Sequence, residues 1–147
     1  MKTGWIYVLT AALLLSACEK ARLDQQVKAL CTKDGGIKVY ETVVLTADKF
    51  DARGIVVFYN PTLGENSLGP EYIFMRMTED LKTGKPDLRR THYQIIRRAD
   101  KKILGETVLY SRRGGDMPGP WHDSHFSCPD PNEAGSVVLI NRIFIKK

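Results

Sequence analysis

Residues 89–112 read RRTHYQIIRRADKKILGETVLYSR, and this stretch decides the fold. Two runs, Arg89 to Arg98 and Ile103 to Arg112, carry many β-branched and aromatic side chains, which fit a pleated surface. Between them Ala99-Asp100-Lys101-Lys102 is polar and suited to reversing the chain. The pattern predicts a β-hairpin. With a two-residue turn between Ala99 and Lys102, Tyr93 lies opposite Val108 and Thr91 opposite Tyr110. These residues then share one core-facing side with Ile95 and Leu104.

Working outward, further runs supply strands. Tyr72 to Met77 places Ile73, Met75 and Met77 inward, and Ile37 to Leu45 alternates with Ile37, Val39, Val43 and Leu45 on one side. Val137 to Ile145 is apolar on both parities except at Asn141 and Arg142, as a central strand would be. Ile55 to Tyr59 adds a short strand. Thr46 is placed to cap a small helix ending before Gly54, and residues 60–70 form a loop. Ahead of the sheet, Leu23, Val27, Leu30 and Cys31 recur at helical spacing opposite Arg22, Asp24, Gln25, Gln26 and Lys28. Gly35-Gly36 can end that helix.

The expectation is an α+β fold, an N-terminal amphipathic helix packed on a mostly antiparallel sheet of about five strands. Glu41 and Arg142 interrupt apolar registers, which predicts an ion pair across the sheet, a small pocket or a locally exposed edge. The chain has 147 residues, a formal charge of +5 and 43% hydrophobic residues. One packed core accommodates that length, and the composition excludes wholesale disorder and a fibrous repeat.

The N-terminus follows a different logic. Lys2 precedes Trp5 to Leu15, an apolar run relieved only by Thr10 and the Tyr7 hydroxyl. As a helix it covers about 16 Å, roughly half of a ~30 Å hydrocarbon core, so it suits a signal peptide and not a membrane span. Leu15-Ser16-Ala17-Cys18 follows, with small residues before the cysteine. This resembles the bacterial lipobox, and the resemblance covers residues 1–18. It implies cleavage before Cys18, a diacylglycerol thioether on its sulfur and acylation of its new amino group. Such an anchor is effectively permanent.

The resemblance divides the chain into a signal peptide, 1–17, and a single domain, 18–147, facing the periplasm from the inner or outer membrane. The rival is an ordinary signal peptide with a cysteine beside its cleavage site. The phrases Tyr110 to Asp116 and Pro118 to His122 are similar to those of uncharacterised small lipoproteins of proteobacteria, a likeness that implies no activity. With Cys18 carrying lipid, Cys31 and Cys128 remain. An even remainder in an exported chain reads as one disulfide, the rival being two free or metal-binding thiols.

Residues 114–136 show no periodicity and read as a long loop, a class of segment that commonly carries function. It holds Trp121, His122, Asp123, His125 and Phe126. His122-x-x-His125-x-x-Cys128 has a metal-like spacing, which makes His122 and His125 weak metal candidates. Prolines crowd the segment, however, and Cys128 cannot serve both a metal and a disulfide. Ser124 lacks a Gly-x-Ser-x-Gly elbow, and no Gly-rich phosphate cradle is present. No catalytic residue and no cofactor are assigned.

The basic pairs Arg89-Arg90, Arg97-Arg98, Lys101-Lys102 and Arg112-Arg113 crowd the hairpin. The expected binding surface comprises Trp121, His122, His125, Arg97, Arg98, Arg112 and Arg113. For an exported chain its partners are an envelope protein, anionic lipid headgroups or an acidic glycan, and not nucleic acid. The functional expectation is a membrane-anchored, non-catalytic binding or accessory module. A metal-binding protein or hydrolase centred on the 114–136 loop is the alternative.

Overall fold

The computed structural model describes residues 3–116 and 122–147, with side chains from residue 18 onward. Helix α1 (Thr3–Asp34) runs unbroken through Cys18. It stops where glycine permits: Gly35 N donates to Cys31 O at 2.8 Å, and Gly36 takes a φ of 106°. The strands are β1 (Gly36–Val39), β2 (Val43–Leu45), β3 (Tyr72–Lys82), β4 (Asp87–Arg97), β5 (Ile103–Arg113), β6 (His125–Cys128) and β7 (Phe144–Lys146). Helices α2 (Pro131–Ala134) and α3 (Ser136–Ile143) precede β7. The main sheet is antiparallel in the order β1-β5-β4-β3, and β6 also pairs with β5. Strands β2 and β7 form a separate parallel pair.

The main sheet divides two cores. On one face α1 lays Leu23 and Val27 against Leu88, Val108 and Tyr110. On the other, Ile95 and Tyr72 pack with Leu139, Ile140 and Ile143 of α3 and with Phe144. The expected α+β architecture is therefore present, and a Cys31–Cys128 disulfide joins α1 to β6 across 97 residues. Among the described residues, no helix is long and apolar enough to cross a membrane.

The hairpin forms one residue away from the expected register. Tyr93 faces Thr107, not Val108, and Thr91 faces Leu109, not Tyr110. Pairing jumps from Ile95–Gly105 to Ile96–Ile103, so Leu104 is an extra residue, a β-bulge. A one-residue slip exchanges the faces of a strand. Val108 and Tyr110 consequently look toward α1, while Thr91, Tyr93 and Ile95 look toward the α3 core. The same bulge divides the strand expected over 37–45. Leu104 O accepts from both Tyr40 N (2.8 Å) and Glu41 N (3.0 Å), so the chain leaves the sheet there and resumes as β2 elsewhere.

The central strand expected from Val137 to Ile145 is mostly helix α3, and only its last residues enter β7. Leu139, Ile140, Ile143 and Phe144 are buried, whereas Asn141 and Arg142 are exposed, which is a helical period disguised by β-branched composition. Gly105 lets α3 approach closely, because a Cβ there would lie 2.8 Å from Ile143 Cδ1 and 2.9 Å from Lys38 O.

In β3 the expected parity is reversed. Tyr72 and Phe74 join the α3 core, while Ile73, Met75 and Met77 share the α1 face beyond the reach of the helix. Residues 55–59 form no strand beyond a Phe50–Val56 bridge. Two 3-10 turns, Ala47–Lys49 and Pro61–Asn66, occupy the expected small helix and part of the expected 60–70 loop. The 114–136 stretch is not a bare loop, since it contains β6 and α2. Asp130 caps α2 by accepting from Asn132 N, with Pro131 at the first helical position.

Candidate functional site

The residues expected to form one binding surface are dispersed. Arg97-Arg98 and Arg112-Arg113 sit at opposite ends of the hairpin, about 30 Å apart at ~3.3 Å per residue. Most of them also have partners inside the molecule. Arg97 pairs with Glu41 and Asp100, and Arg98 bonds Asn66 Oδ1 at 2.5 Å and Tyr72 O at 3.3 Å. Arg113 lies 3.8 Å from Asp123. Glu41 takes Arg97 and Lys102 as its partners, and not Arg142, which is exposed on α3.

Arg112 is not a surface residue at all, being 2% exposed. Its Nε donates to Asp24 Oδ1 of α1 at 2.7 Å, and its Nη1 donates to Gly114 O at 2.7 Å and Ser124 Oγ at 2.7 Å. The guanidinium thus ties α1, the end of β5 and the segment leading into β6 to one point. Trp121 lies outside the described residues. His122 and His125 are both exposed, and the disulfide takes the thiol that would have completed a metal triad. Among the described residues, no group of three or more His, Cys, Asp or Glu side chains is placed to hold a metal.

What the fold does assemble is a groove of about 510 Å³ between the sheet and the α2–α3 corner. The two-residue period of β6 builds one wall. Phe126 and Cys128 turn to the α1 core, which sends His125 and Ser127 to the groove. Thr91, Tyr93 and Ser111 form the floor, and Ser136 opens α3 at the far side. His125 Nε2 lies 3.0 Å from Ser127 Oγ. Among the described residues no carboxylate lines the groove or is placed there to orient His125 as a base for Ser127. Its hydroxyls share the lining with Leu109, Pro131, Val137 and Val138, so it suits a ligand with both apolar and polar parts.

A second polar cluster lies on the α1 face beyond the end of the helix. Glu106 Oε1 accepts from Tyr40 OH at 2.6 Å, while Oε2 accepts from His92 Nε2 at 2.8 Å and Gln94 Nε2 at 3.1 Å. Burial opposes ionisation of this carboxyl, but the three donors together outweigh it and pull the pKa down to about 2. A group so acidic is unsuited to general-base work near neutral pH. It clamps the exit of β1 to β4 and β5 instead.

Sequence reasoning missed His92 and Glu106, because only the Leu104 bulge brings them into line. A folded pKa below the ordinary 4.5 means that Glu106 contributes stability above that value and loses it as pH falls toward about 2. Glu106→Gln is expected to flatten the acid limb of stability between those two pH values. Urea unfolding at stepped pH measures this, and an unchanged acid limb would discount the clamp.

Comparison of the chain with protein-family models, curated proteins and solved structures finds no match.

Proposed function

We propose that the chain is an envelope lipoprotein, anchored through Cys18, that acts as a small non-catalytic binding module. One observation carries the reading. Among the described side chains, Cys18 is exposed, and the next two residues are the first to touch the domain. Glu19 lies 3.3 Å from Lys82 Nζ, and Lys20 donates to Asp116 Oδ1 at 2.6 Å. A lipid on Cys18 would therefore sit beside the fold without disturbing it, while the domain stays close to the bilayer.

The hydroxyl-lined groove is the surface with which such a module meets an envelope protein or glycan. Internal pairing of the hairpin arginines makes that hairpin a poorer lipid-binding patch than its composition suggests. A hydrolase reading would need a carboxylate behind His125, and among the described residues none lines the groove.

The test is the intact mass and detergent partitioning of the membrane-extracted chain. The wild type is expected to lack residues 1–17, carry acyl mass on Cys18 and enter the detergent phase. Cys18→Ser is expected to keep residues 1–17 and to carry no acyl mass. A wild-type chain with an alkylatable Cys18 and no acyl mass would overturn the anchor.

A further inference from the structure

Strand β3 is the outer strand of the main sheet and is 11 residues long. Among the described residues no strand pairs with its outer side, and the Pro61–Asn66 turn lies along its first half, sharing a groove with Phe74, Met75 and Arg76. From Arg76 to Leu81 its side chains are exposed, including Met77 at 39% and Leu81 at 40%. An uncovered edge presents N–H and C=O groups ready to pair with another strand.

The sequence of this edge is complementary to itself. In an antiparallel pairing of two copies centred on Thr78, Thr78 meets Thr78, Met77 meets Glu79 and Arg76 meets Asp80. Opposite residues share a face with Cβ atoms about 5 Å apart, so each dimer gains two ion pairs between copies. Neighbouring registers lose them. Centring on Met77 leaves Arg76 opposite Thr78, and centring on Glu79 sets the two Glu79 side chains together and Arg76 against Lys82. The residues are also well disposed. Asp80 accepts from Arg89 Nε through Oδ1 at 2.8 Å, which leaves Oδ2 to meet an incoming guanidinium. Arg76 lies on the same face, 5.8 Å from the Tyr93 ring centre.

We propose that the chain associates with a second copy of itself through β3, joining two main sheets into one. The register of β3 against β4 shifts between Asp80 and Lys82, and this bulge at Leu81 limits the pairing to residues 76–80. The contact is small and the dimer correspondingly weak. A two-fold axis normal to the joined sheet leaves both α1 helices on one face. Two chains tethered through Cys18, in the reading proposed above, can therefore pair in one bilayer, where tethering raises their effective concentration.

The experiment is disulfide capture in the full chain carrying Thr78→Cys, expressed in a bacterial envelope and resolved without reductant. The expected product is a covalent dimer, at least about fivefold more abundant than from wild type or from Val57→Cys, an exposed control outside β3. Adding Arg76→Asp is expected to cut capture about tenfold, and adding Asp80→Arg together with Arg89→Asp, which keeps the pair inside each chain, to restore it. The native Cys31–Cys128 bond in the same sample reports that conditions were oxidising. The mass of Cys18 reports separately whether the anchor is present.

With the native disulfide formed, capture no greater than that of Val57→Cys overturns the dimer. So does cross-linking of Thr78→Cys to a different protein. Full capture in Arg76→Asp, or no recovery on adding Asp80→Arg together with Arg89→Asp, overturns the register.

Discussion

Replacing Cys31 and Cys128 together by alanine is expected to cost roughly 4–5 kcal/mol. The bridge closes a loop of 97 residues, and chain entropy assigns about 4.7 kcal/mol to a loop near that length. A domain of this size has a net stability of about 5–15 kcal/mol, so the loss removes roughly a quarter of it or more. The location of the bridge adds to the effect. Both cysteines pack beside Leu23, Val27 and Val108, where α1 meets the sheet, and Cys128 ends the strand that carries His125 and Ser127.

The variant should therefore loosen the groove as well as lower the midpoint. Hydrogen exchange of the β6 amides measures the first quantity, and urea unfolding measures the second. Reduced wild type should match the double variant. A fall of less than about 1 kcal/mol would mean that the unfolded chain is already compact, and the entropic account would fail.

Arg112→Ala is expected to cost about 3–5 kcal/mol, because removing one partner of a buried pair strands the other groups. Three acceptors, Gly114 O, Ser124 O and Ser124 Oγ, lose the same Nη1, and Asp24 loses its bond from Nε. The Asp24 side chain keeps 28% exposure and can recover water, so Asp24→Asn is expected to cost far less, about 1 kcal/mol. Arg112→Met retains the stem but not the donors, and it should fall between wild type and alanine. Chemical denaturation of the three variants separates packing from charge. Equal losses in Arg112→Ala and Asp24→Asn would show that the ion pair alone mattered. An alanine variant within about 1 kcal/mol of wild type would discount the buried guanidinium.

Neither of these anchors is equally visible in the chain. The cysteine pairing follows from counting once Cys18 is set aside. Arg112 looked like one of eight basic surface residues on the hairpin, since nothing adjacent to it in sequence reveals Asp24 or the carbonyls of residues 114 and 124. The helix face of Leu23, Val27, Leu30 and Cys31 was legible because its period is local and glycines mark its end. The 137–145 segment was misread because adjacent apolar pairs separated by Asn141-Arg142 satisfy a buried strand and a short helix alike. The groove was half visible, through His125 alone. Its floor depends on which side of β4 and β5 faces α3, and that depends on the bulge.

The N-terminal helix and its stop, the hairpin's existence and the α+β class were legible in the chain alone, which also set the expectations of a Cys31–Cys128 disulfide and of lipid on Cys18. All of these rest on short-range periodicity, on turn residues or on counting. Tertiary structure alone decided which face each strand of the hairpin shows. Leu104 could be inserted as a bulge only because its carbonyl takes two amides from the departing β1, and Gly105 lets α3 press against the strand beside it. A side-chain period of two makes a one-residue insertion invert every later position, and that inversion brings Glu106 to His92 and leaves Thr91 and Tyr93 to the groove.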